Sequence, residues 1–260
     1  MSDAYAAIRQ HLKTLKLRKM EQYLDACLSR AIAEKQPVAE VLERLLEHEA
    51  ASLIERRIER RIKESRLPER KLLSDFDFTF QTGLNKEQIL GLASLSFVSQ
   101  QQGLIIAGNS GTGKSHITKA LLLTGCQKQY RCSYTTAADM LKTLMAGLCD
   151  NTLDQKLKLY TRPDILLIDE VGFDRLEQQS ARHASLFFKV IDARYGVAST
   201  LMTTNVDFKT LGDYLGDPVI TTAIVDRMVH HSIIINVEGP SWRIHKSRQI
   251  NNQTTKNIAG

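Results

Sequence analysis

Hydrophobic and polar residues follow two different patterns along this chain, and the change falls near residue 68. Between Val41 and Ile62 the apolar residues recur at the spacing of one face of an α-helix. An earlier helix is predicted over about 4–33, and Pro37 marks the break between the two. Pro68 stops the second helix, because the residue before a proline disfavours helical backbone. We therefore predict a helical domain over residues 1–68. The apolar positions of its second helix are Val41, Leu42, Leu45, Leu46, Leu53, Ile54, Ile58 and Ile62.

Short apolar runs separated by helical stretches follow from about residue 75. The predicted strands are GLIIAG (103–108), RCSYTT (131–136), DILLIDE (164–170), ASTLMTT (198–204) and SIIINV (232–237). Strands that alternate with helices favour a parallel sheet covered by helices, so residues 69–248 are predicted to form an α/β domain. We expect its first segment, SDFDFTFQTGLNKEQI, to be a connector that lays aromatic side chains onto the domain. The polar tail over 249–260 has no packing face, and we expect it to be disordered.

The turn after the first strand carries a phosphate-binding motif. Residues 108–115, GNSGTGKS, fit the pattern G-x-x-x-x-G-K-[ST] in full, between a predicted strand and an amphipathic segment. Such glycines let backbone N–H groups curl around a phosphate, where a Cβ would obstruct the approach. We expect Lys114 to bind the phosphates of ATP and the Ser115 hydroxyl to hold Mg²⁺. The residues predicted to contact the nucleotide are Gly108, Asn109, Ser110, Gly111, Thr112, Gly113, Lys114 and Ser115.

Two adjacent carboxylates end the strand DILLIDE. Ligands bind at the C-terminal ends of strands in open α/β sheets, so Asp169 and Glu170 are predicted to reach the phosphate site. We expect Asp169 to bind Mg²⁺ and Glu170 to polarise the attacking water. Two carboxylates after a strand can also cap a helix, which is the alternative. A kinase has no need of the adjacent glutamate, because its attacking hydroxyl belongs to the substrate. The pair therefore favours hydrolysis.

Two further polar residues are candidates for the same site. Asn205 follows the strand ASTLMTT, where it would orient the water or sense the γ-phosphate, although asparagine at a strand end is also a common turn residue. Arg227 lies late in the chain on a predicted helix, as expected of an arginine finger that a neighbouring subunit supplies. The alternative for Arg227 is an ion pair with Asp226 or exposure to solvent.

Positive charge is concentrated in one segment. The chain has a net charge of +6, and residues 56–71 alone carry eight basic and three acidic residues. Clustered Lys and Arg favour a polyanionic partner, because they release counterions from a phosphate backbone. The alternative is a solvated helix face laced with Glu–Arg pairs, since Glu55, Glu59 and Glu64 are interleaved. The side chains predicted to bind DNA are Arg56, Arg57, Arg60, Arg61 and Lys63.

Segments that direct a chain to a membrane or out of the cell are not evident. No apolar run approaches the roughly 20 residues that span a bilayer, and the N-terminus has no apolar core of a signal peptide. An organellar transit peptide is the alternative for this basic, amphipathic start. The four cysteines form no C-x-x-C pair, so free thiols in a reducing compartment are expected. We predict a cytoplasmic protein with no membrane partner.

With these residues placed, the chain resembles the AAA+ ATPases of the IstB and DnaC type, and more closely the IstB helpers of insertion-sequence transposition. The resemblance rests on the blocks ERRIERRIKESRLPERKLLSDFDF, GNSGTGKSH, LLIDEVGF, ARYGVASTLMTTN, AIVDRMVHH and GPSWRIH, in order along nearly the whole chain. The chain departs from the family at Asn109 and Ser110, where Pro-Pro is more frequent, and at Ser115, where threonine is.

The resemblance assigns roles to the residues that match. It implies that Asp169 and Glu170 are the Walker B pair, that Asn205 is sensor 1 and that Arg227 is the finger acting in trans. Arg243 falls at a basic position of the family, and a contact with the γ-phosphate is implied there. His116 also matches the family pattern beside the phosphate loop. Few residues follow Asn205, so a reduced or absent C-terminal lid is expected.

Three functions compete. The first is a transposition helper that uses ATP at subunit interfaces to build a homo-oligomer on duplex DNA, recruits or stimulates a separate transposase, and disassembles on hydrolysis. The second is a replicative helicase loader with the same ATPase core, acting with single-stranded DNA. The third is a small-molecule kinase, for which the chain lacks a lid-like insertion. The basic helical segment and the Phe-Asp-Phe connector favour the helper.

Overall fold

The computed structural model describes residues 3–172, 181–206 and 218–248, so the predicted disordered tail lies outside it. The chain divides into two compact units, Met1–Arg60 and Arg61–Gly260. This division falls inside helix α3 (Val38–Glu64), ahead of the boundary predicted at residue 68. A hydrogen bond explains why the end of this helix belongs to the second unit. The amide of Tyr134 donates to the carbonyl oxygen of Ser65, the residue after α3, at 2.8 Å.

The first unit begins with two helices where the sequence predicted one. Helix α1 (Asp3–Thr14) and helix α2 (Arg18–Glu34) are separated by Lys16, whose φ is +59°. The amide of Leu17 donates to the carbonyl of Leu12, and that of Lys16 to the carbonyl of Lys13. These two bonds close α1 in the manner of a Schellman motif, which usually has glycine at the left-handed position. The sequence has lysine there, and the prediction of one continuous helix was wrong for that reason.

A small apolar core joins the three helices of this unit. Its buried residues are Leu12, Met20, Leu24, Cys27, Val41 and Leu45. On α3 only part of the predicted apolar face contributes, because Leu42 and Leu46 are 51% and 56% exposed. The two α3 residues in this core, Val41 and Leu45, lie one helical turn apart on the same face of the helix.

A buried carboxylate connects α3 to the start of α2. Oε2 of Glu49 accepts hydrogen bonds from the amides of Lys19 at 2.7 Å and Met20 at 3.2 Å. Its other oxygen accepts from Nη2 of Arg56 at 3.1 Å. The first amides of a helix have no partner within the helix, and a carboxylate there also opposes the positive end of the helix dipole. Glu49 therefore stabilises α2 from outside that helix.

The second unit contains a five-stranded sheet and most of the helices. Its strands lie within one residue of the five predicted runs. They are β1 (Gly103–Gly108), β2 (Cys132–Thr136), β3 (Ile165–Val171), β4 (Ser199–Thr204) and β5 (Ser232–Val237). The helices are α4 (Lys86–Gly91), α5 (Ser96–Ser99), α6 (Lys114–Gln127), α7 (Ala137–Cys149), α8 (Leu153–Thr161), α9 (Ala181–Arg194), α10 (Pro218–His230) and α11 (residues 242–248). Two 3₁₀ turns, Leu73–Asp75 and Leu92–Ser94, precede β1.

The strands are parallel in the order β2-β3-β4-β1-β5. Helix α6 packs against β1, β2, β3 and β4. A separate apolar cluster joins α7, α8, α9 and α10 to the strand residues Ile105, Leu166, Ile168 and Met202. Alternate strand residues face opposite sides of a sheet, so helices cover both faces, as the α/β prediction requires. Of the helices in the described ranges, none combines the length and apolar character needed to cross a bilayer.

A buried arginine closes the N-terminal edge of β3 and β4. Arg194, at the end of α9, is 1% exposed. Its guanidinium donates to the carbonyls of Tyr160 and Pro163, both at 2.8 Å, to that of Ser199, and to the hydroxyl of Thr200 at 2.9 Å. Burial lowers the pKa of Arg194 to about 10, with Asp164 opposing the shift, so the group stays charged at neutral pH.

Replacing Arg194 with methionine tests this role. Arg194→Met keeps an unbranched side chain but leaves three buried carbonyls without their donor, and we expect a loss of at least about 3 kcal/mol in the free energy of unfolding. Urea denaturation followed by circular dichroism measures it. The control is Arg162→Met, at an exposed arginine, which should stay within about 0.5 kcal/mol. Equal stability of both variants would contradict the assignment.

Candidate nucleotide-binding site

The phosphate-binding motif forms the turn between β1 and α6. Gly111 and Gly113 have φ values of +80° and +96°, in the region that favours glycine. The hydroxyl of Thr112, itself fully buried, donates to the carbonyl of Asn109 at 2.8 Å and closes the loop on itself. The first turn of α6 follows at once, so its unpaired amides point toward the loop, which is the arrangement that binds phosphate.

The glycines of the loop are also required by their neighbours. A Cβ on Gly111 would lie 2.1 Å from Oγ of Ser241, and one on Gly113 would lie 2.5 Å from Cε2 of Phe76. Both positions therefore have too little space for any side chain. Glycine at these two positions lets Ser241 and Phe76 pack directly against the loop. A glycine-rich turn of this kind between a strand and a helix is the arrangement that binds phosphate.

Lys114 is the first residue of α6, and only 9% of it is exposed. Its Nζ donates to the carbonyls of Gly108 and Asn109, both at 2.7 Å. Burial lowers the pKa of Lys114; the carboxylates of Asp169 and Glu170 oppose this shift, and the nearby charge of Arg243 adds to it. A partly desolvated ammonium at this point is suited to bind an anion.

Ser115 and Asp169 meet across the sheet edge. Oγ of Ser115 donates to Oδ1 of Asp169 at 2.8 Å, and Asp169 is 2% exposed. A hydroxyl oxygen and a carboxylate oxygen beside a phosphate cradle form the donor set that Mg²⁺ prefers, so these residues fit the predicted metal site. The alternative for Asp169, a helix cap, is excluded, because this residue lies within β3 and its partners lie on other elements.

Glu170 and Asn205 line the same cavity, which has a volume of about 500 Å³. Glu170 is exposed to it and has a φ of +62°, in a region that non-glycine residues seldom adopt. Asn205 directly follows β4, the strand between β1 and β3. The structure thus brings together the phosphate loop, both carboxylates and the predicted sensor residue.

The aromatic connector lays side chains onto the α/β domain, as predicted, and Phe76 and Phe80 also line the cavity. The rings of Phe76 and His116 are perpendicular, with centroids 5.4 Å apart, and Nε2 of His116 donates to the carbonyl of Leu72 at 2.8 Å. Phe80 packs edge-on against Trp242 of α11 at 4.9 Å. His116, for which a nucleotide contact is predicted, therefore also contacts the connector.

Arg243 lines the cavity beside Trp242. The amide of Trp242 donates to the carbonyl of Gly111 at 2.9 Å, which fixes the start of α11 against the phosphate loop. Arg243 is exposed, and its charge acts on Lys114, as described above. The short helix α11 follows the last strand, where a reduced lid was expected. It therefore places the cation of Arg243 at the nucleotide cavity.

Arg227 lies outside this cavity. Its Nε donates to Oδ1 of Asp192 at 2.8 Å, and its guanidinium lies over the ring of Phe188, 4.8 Å from the centroid. The ion-pair partner is therefore Asp192 rather than Asp226. Arg227 lines a different cavity together with the first residues of β1 and β5, at the N-terminal edge of the sheet. The phosphate loop lies at the C-terminal edge, so Arg227 is not brought to the site of its own chain.

The cations predicted to bind DNA are all on α3. Arg56 pairs with Glu49 at 3.1 Å, and Arg61 pairs with Glu64 at 3.6 Å. The other three side chains are exposed. Both interpretations of this segment stay open: the two pairs agree with a helix face laced with Glu–Arg pairs, and the exposed cations are accessible to a polyanion.

Three polar side chains at the site were not anticipated. Thr203 of β4 and Tyr134 of β2 both bond the carboxylate of Asp169, and Nζ of Lys119 lies 3.6 Å from it. Burial, followed by the charge of Asp169, raises the pKa of Tyr134. Lys119 and Thr203 could have been proposed from their positions. Lys119 lies one helical turn after Ser115, and Thr203 lies two residues before Asn205.

The parallel sheet, the phosphate loop at the end of β1 and the carboxylate pair at the end of β3 define a nucleotide-binding domain of the AAA+ type. The model of the IstB-like ATP-binding protein family matches residues 10–250. The chain belongs to this family.

Relatives of known description are similar over nearly the whole chain. A predicted ATP-binding protein of insertion sequence IS232, from Bacillus thuringiensis subsp. berliner, is 34% identical over 94% of this chain and 96% of its own length. A predicted ATP-binding protein of insertion sequence IS21, from Pseudomonas aeruginosa, is 33% identical over 92% of this chain and 89% of its own length.

Solved structures share the fold at lower identity. The DnaC helicase loader has a TM-score of 0.53 and 19% identity, over 64% of this chain and 96% of its own. The replication initiator DnaA, bound to AMPPCP and single-stranded DNA, has a TM-score of 0.54 and 22% identity, over 65% of this chain and 50% of its own. These structures show that the ATP-binding domain has the AAA+ fold.

The crowding at Gly113 gives a test of the site. Gly113→Ala forces a Cβ toward Phe76 at a positive φ, and we expect affinity for a fluorescent ATP analogue to fall by at least about tenfold, which is about 1.4 kcal/mol. Gly196→Ala is the matched control, because Gly196 also has a positive φ (+64°) but no atom within 4 Å of a Cβ. An equal loss of affinity in both variants would show that backbone strain at a positive φ, and not crowding in the phosphate loop, weakens binding.

Proposed function

We propose that this protein is an ATP-dependent, DNA-binding helper of an insertion-sequence transposition system. ATP and Mg²⁺ bind at subunit interfaces, the protein oligomerises on duplex DNA in the cytoplasm, and the oligomer recruits or stimulates its transposase. ATP hydrolysis then disassembles it. The observation that carries the proposal is that the phosphate loop, Glu170 and Asn205 line one cavity, with the buried Asp169 hydrogen-bonded to Ser115 beside it, while Arg227 lies outside it.

The residues of the cavity divide the chemistry of hydrolysis among them. Backbone amides of the loop and Lys114 hold the phosphates, and Ser115 and Asp169 hold Mg²⁺, which offsets phosphate charge when bound. Glu170, exposed to the cavity, accepts a proton from the attacking water. Asn205 orients that water.

Positive charge at the transferring phosphoryl group comes from a neighbouring subunit in this proposal. Arg227 is held by Asp192 and Phe188 at the sheet edge opposite to the phosphate loop. In a head-to-tail arrangement of copies, that edge of one subunit can approach the nucleotide of the next. The site would then be complete only between two subunits, so that ATP stabilises the oligomer.

The choice of duplex DNA and a transposase is supported by the relatives. The ATP-binding proteins that match this chain from end to end are described as belonging to insertion sequences. The exposed cations on α3 offer contacts to a phosphate backbone. A helicase loader shares the fold, and single-stranded DNA would be its ligand; the experiments below separate the two.

The trans role of Arg227 predicts complementation. Arg227→Ala should bind ATP and oligomerise normally but lose about 1,000-fold in turnover. Glu170→Gln should be equally inactive, because it lacks the carboxylate that accepts a proton from the attacking water. Mixing the two should restore hydrolysis, because an intact site of the first then meets an intact finger of the second. Steady-state phosphate release measures this result. Arg162→Ala serves as the control and should keep full activity; an Arg227→Ala protein with normal turnover would refute the trans role.

The polyanion proposal predicts a loss of duplex affinity when the charge of α3 is reversed. Arg60→Glu with Lys63→Glu should lower duplex affinity by at least about tenfold and reduce the slope of log affinity against log salt by about two. Fluorescence anisotropy over a salt series measures both quantities. The control, Lys142→Glu with Lys189→Glu, makes the same change in net charge at exposed positions on α7 and α9.

The possible results have distinct meanings. An unchanged affinity and slope would exclude these two residues while leaving duplex binding intact. Equal losses in both double variants would mean that net charge alone is responsible. If single-stranded DNA but not duplex stimulates ATP hydrolysis by the unaltered protein, the helicase-loader function replaces the helper.

A further inference from the structure

We infer that Thr203 is a positioning residue for ATP hydrolysis, whose hydroxyl holds Asp169 and Glu170 in their working arrangement. The inference rests on the proposed hydrolysis and adds a requirement to it. Thr203 belongs to β4, is 1% exposed, and lines the cavity together with Glu170.

The ladder between β3 and β4 is irregular at this point. Ile168 pairs with Met202, and the next pair is Val171 with Thr204, so β3 advances three residues while β4 advances two. Asp169 and Glu170 thus stand opposite Thr203 alone, which is the definition of a β-bulge. In a regular strand the two carboxylates would point to opposite faces of the sheet. The bulge is what directs both toward the phosphate loop.

The bulge places its second residue in a costly conformation. Glu170 has a φ of +62°, and a non-glycine residue in this region persists only where its surroundings hold it there. Its amide also needs a partner, since an unpaired main-chain N–H is costly in a buried sheet. That amide donates to Oγ1 of Thr203 at 2.9 Å, so a side chain supplies the acceptor.

The same hydroxyl acts on the neighbouring carboxylate. Oγ1 of Thr203 donates its hydrogen to Oδ1 of Asp169, the oxygen that also accepts from Ser115. One buried hydroxyl therefore accepts from the main chain of Glu170 and donates to the side chain of Asp169. Neither bond involves an atom of the phosphate loop. Both fix the atoms proposed to bind Mg²⁺ and to activate water.

Valine and serine replacements separate the hydroxyl from the methyl group. Thr203→Val keeps the shape but removes both hydrogen bonds. We expect kcat for ATP to fall by about 10- to 100-fold, and the Mg²⁺ concentration for half-maximal activity to rise. Affinity for ADP without Mg²⁺ should change by less than about threefold, because the phosphate loop is untouched. Thr203→Ser keeps the hydroxyl and should restore most of the turnover. Thr124→Val, which removes a hydroxyl bonded only within α6, is the control.

Each result supports or overturns the inference. Wild-type turnover and Mg²⁺ dependence in Thr203→Val would overturn it, as would a loss of kcat that serine does not restore. If Thr203→Val does not fold, Thr203→Ala and Thr203→Ser are compared instead, and equal turnover of these two would overturn it. Absence of hydrolysis by the unaltered protein, with or without DNA, would refute the proposed ATPase activity itself and so be distinguished from failure at Thr203.

Discussion

The order of the strands makes the hydrogen bond between Ser115 and Asp169 possible. The rest of the site depends on that hydrogen bond. Ser115 belongs to the helix that follows β1 and Asp169 to β3, and these two strands are neighbours of β4 on either side. Because all strands are parallel, the phosphate loop, the carboxylate pair and Asn205 emerge at one edge. An order with more strands between β1 and β3 would move these residues farther apart, since each added strand adds about 4.8 Å.

Much of the second unit was predictable because its signals are local. The central strands β1 and β3 contain continuous apolar runs, which is the pattern of strands buried on both faces. The phosphate loop is a motif whose residues are contiguous, so Gly111, Gly113 and Lys114 could be assigned from the sequence alone. Asp169 and Glu170 required one further step, since parallel strands end at a shared edge. The connector was predicted from its aromatic residues, and Phe76 and Phe80 do pack on the site.

The predictions that failed or fell short concerned features with no clear signal in the local sequence. The turn at Lys16 has no glycine or proline, so no local pattern separates α1 from α2. The exposure of Leu42 and Leu46 depends on how many helices surround α3, which periodicity does not reveal. Thr203 looks like an ordinary strand residue until the irregular pairing with β3 is seen. The partner of Arg227 likewise proved to be Asp192, 35 positions away in the chain.

The contacts between the connector and the phosphate loop have a thermodynamic consequence. The ring of Phe76 lies beside Gly113 and contacts the ring of His116, the residue after the motif. A nucleotide that alters the loop must therefore alter the free energy of the connector, and linkage makes this effect reciprocal. Any partner that restrains the connector will change nucleotide affinity by the same factor by which the nucleotide changes affinity for that partner. The connector is in this sense a second input to the site, although none of its residues belongs to the phosphate-binding motif.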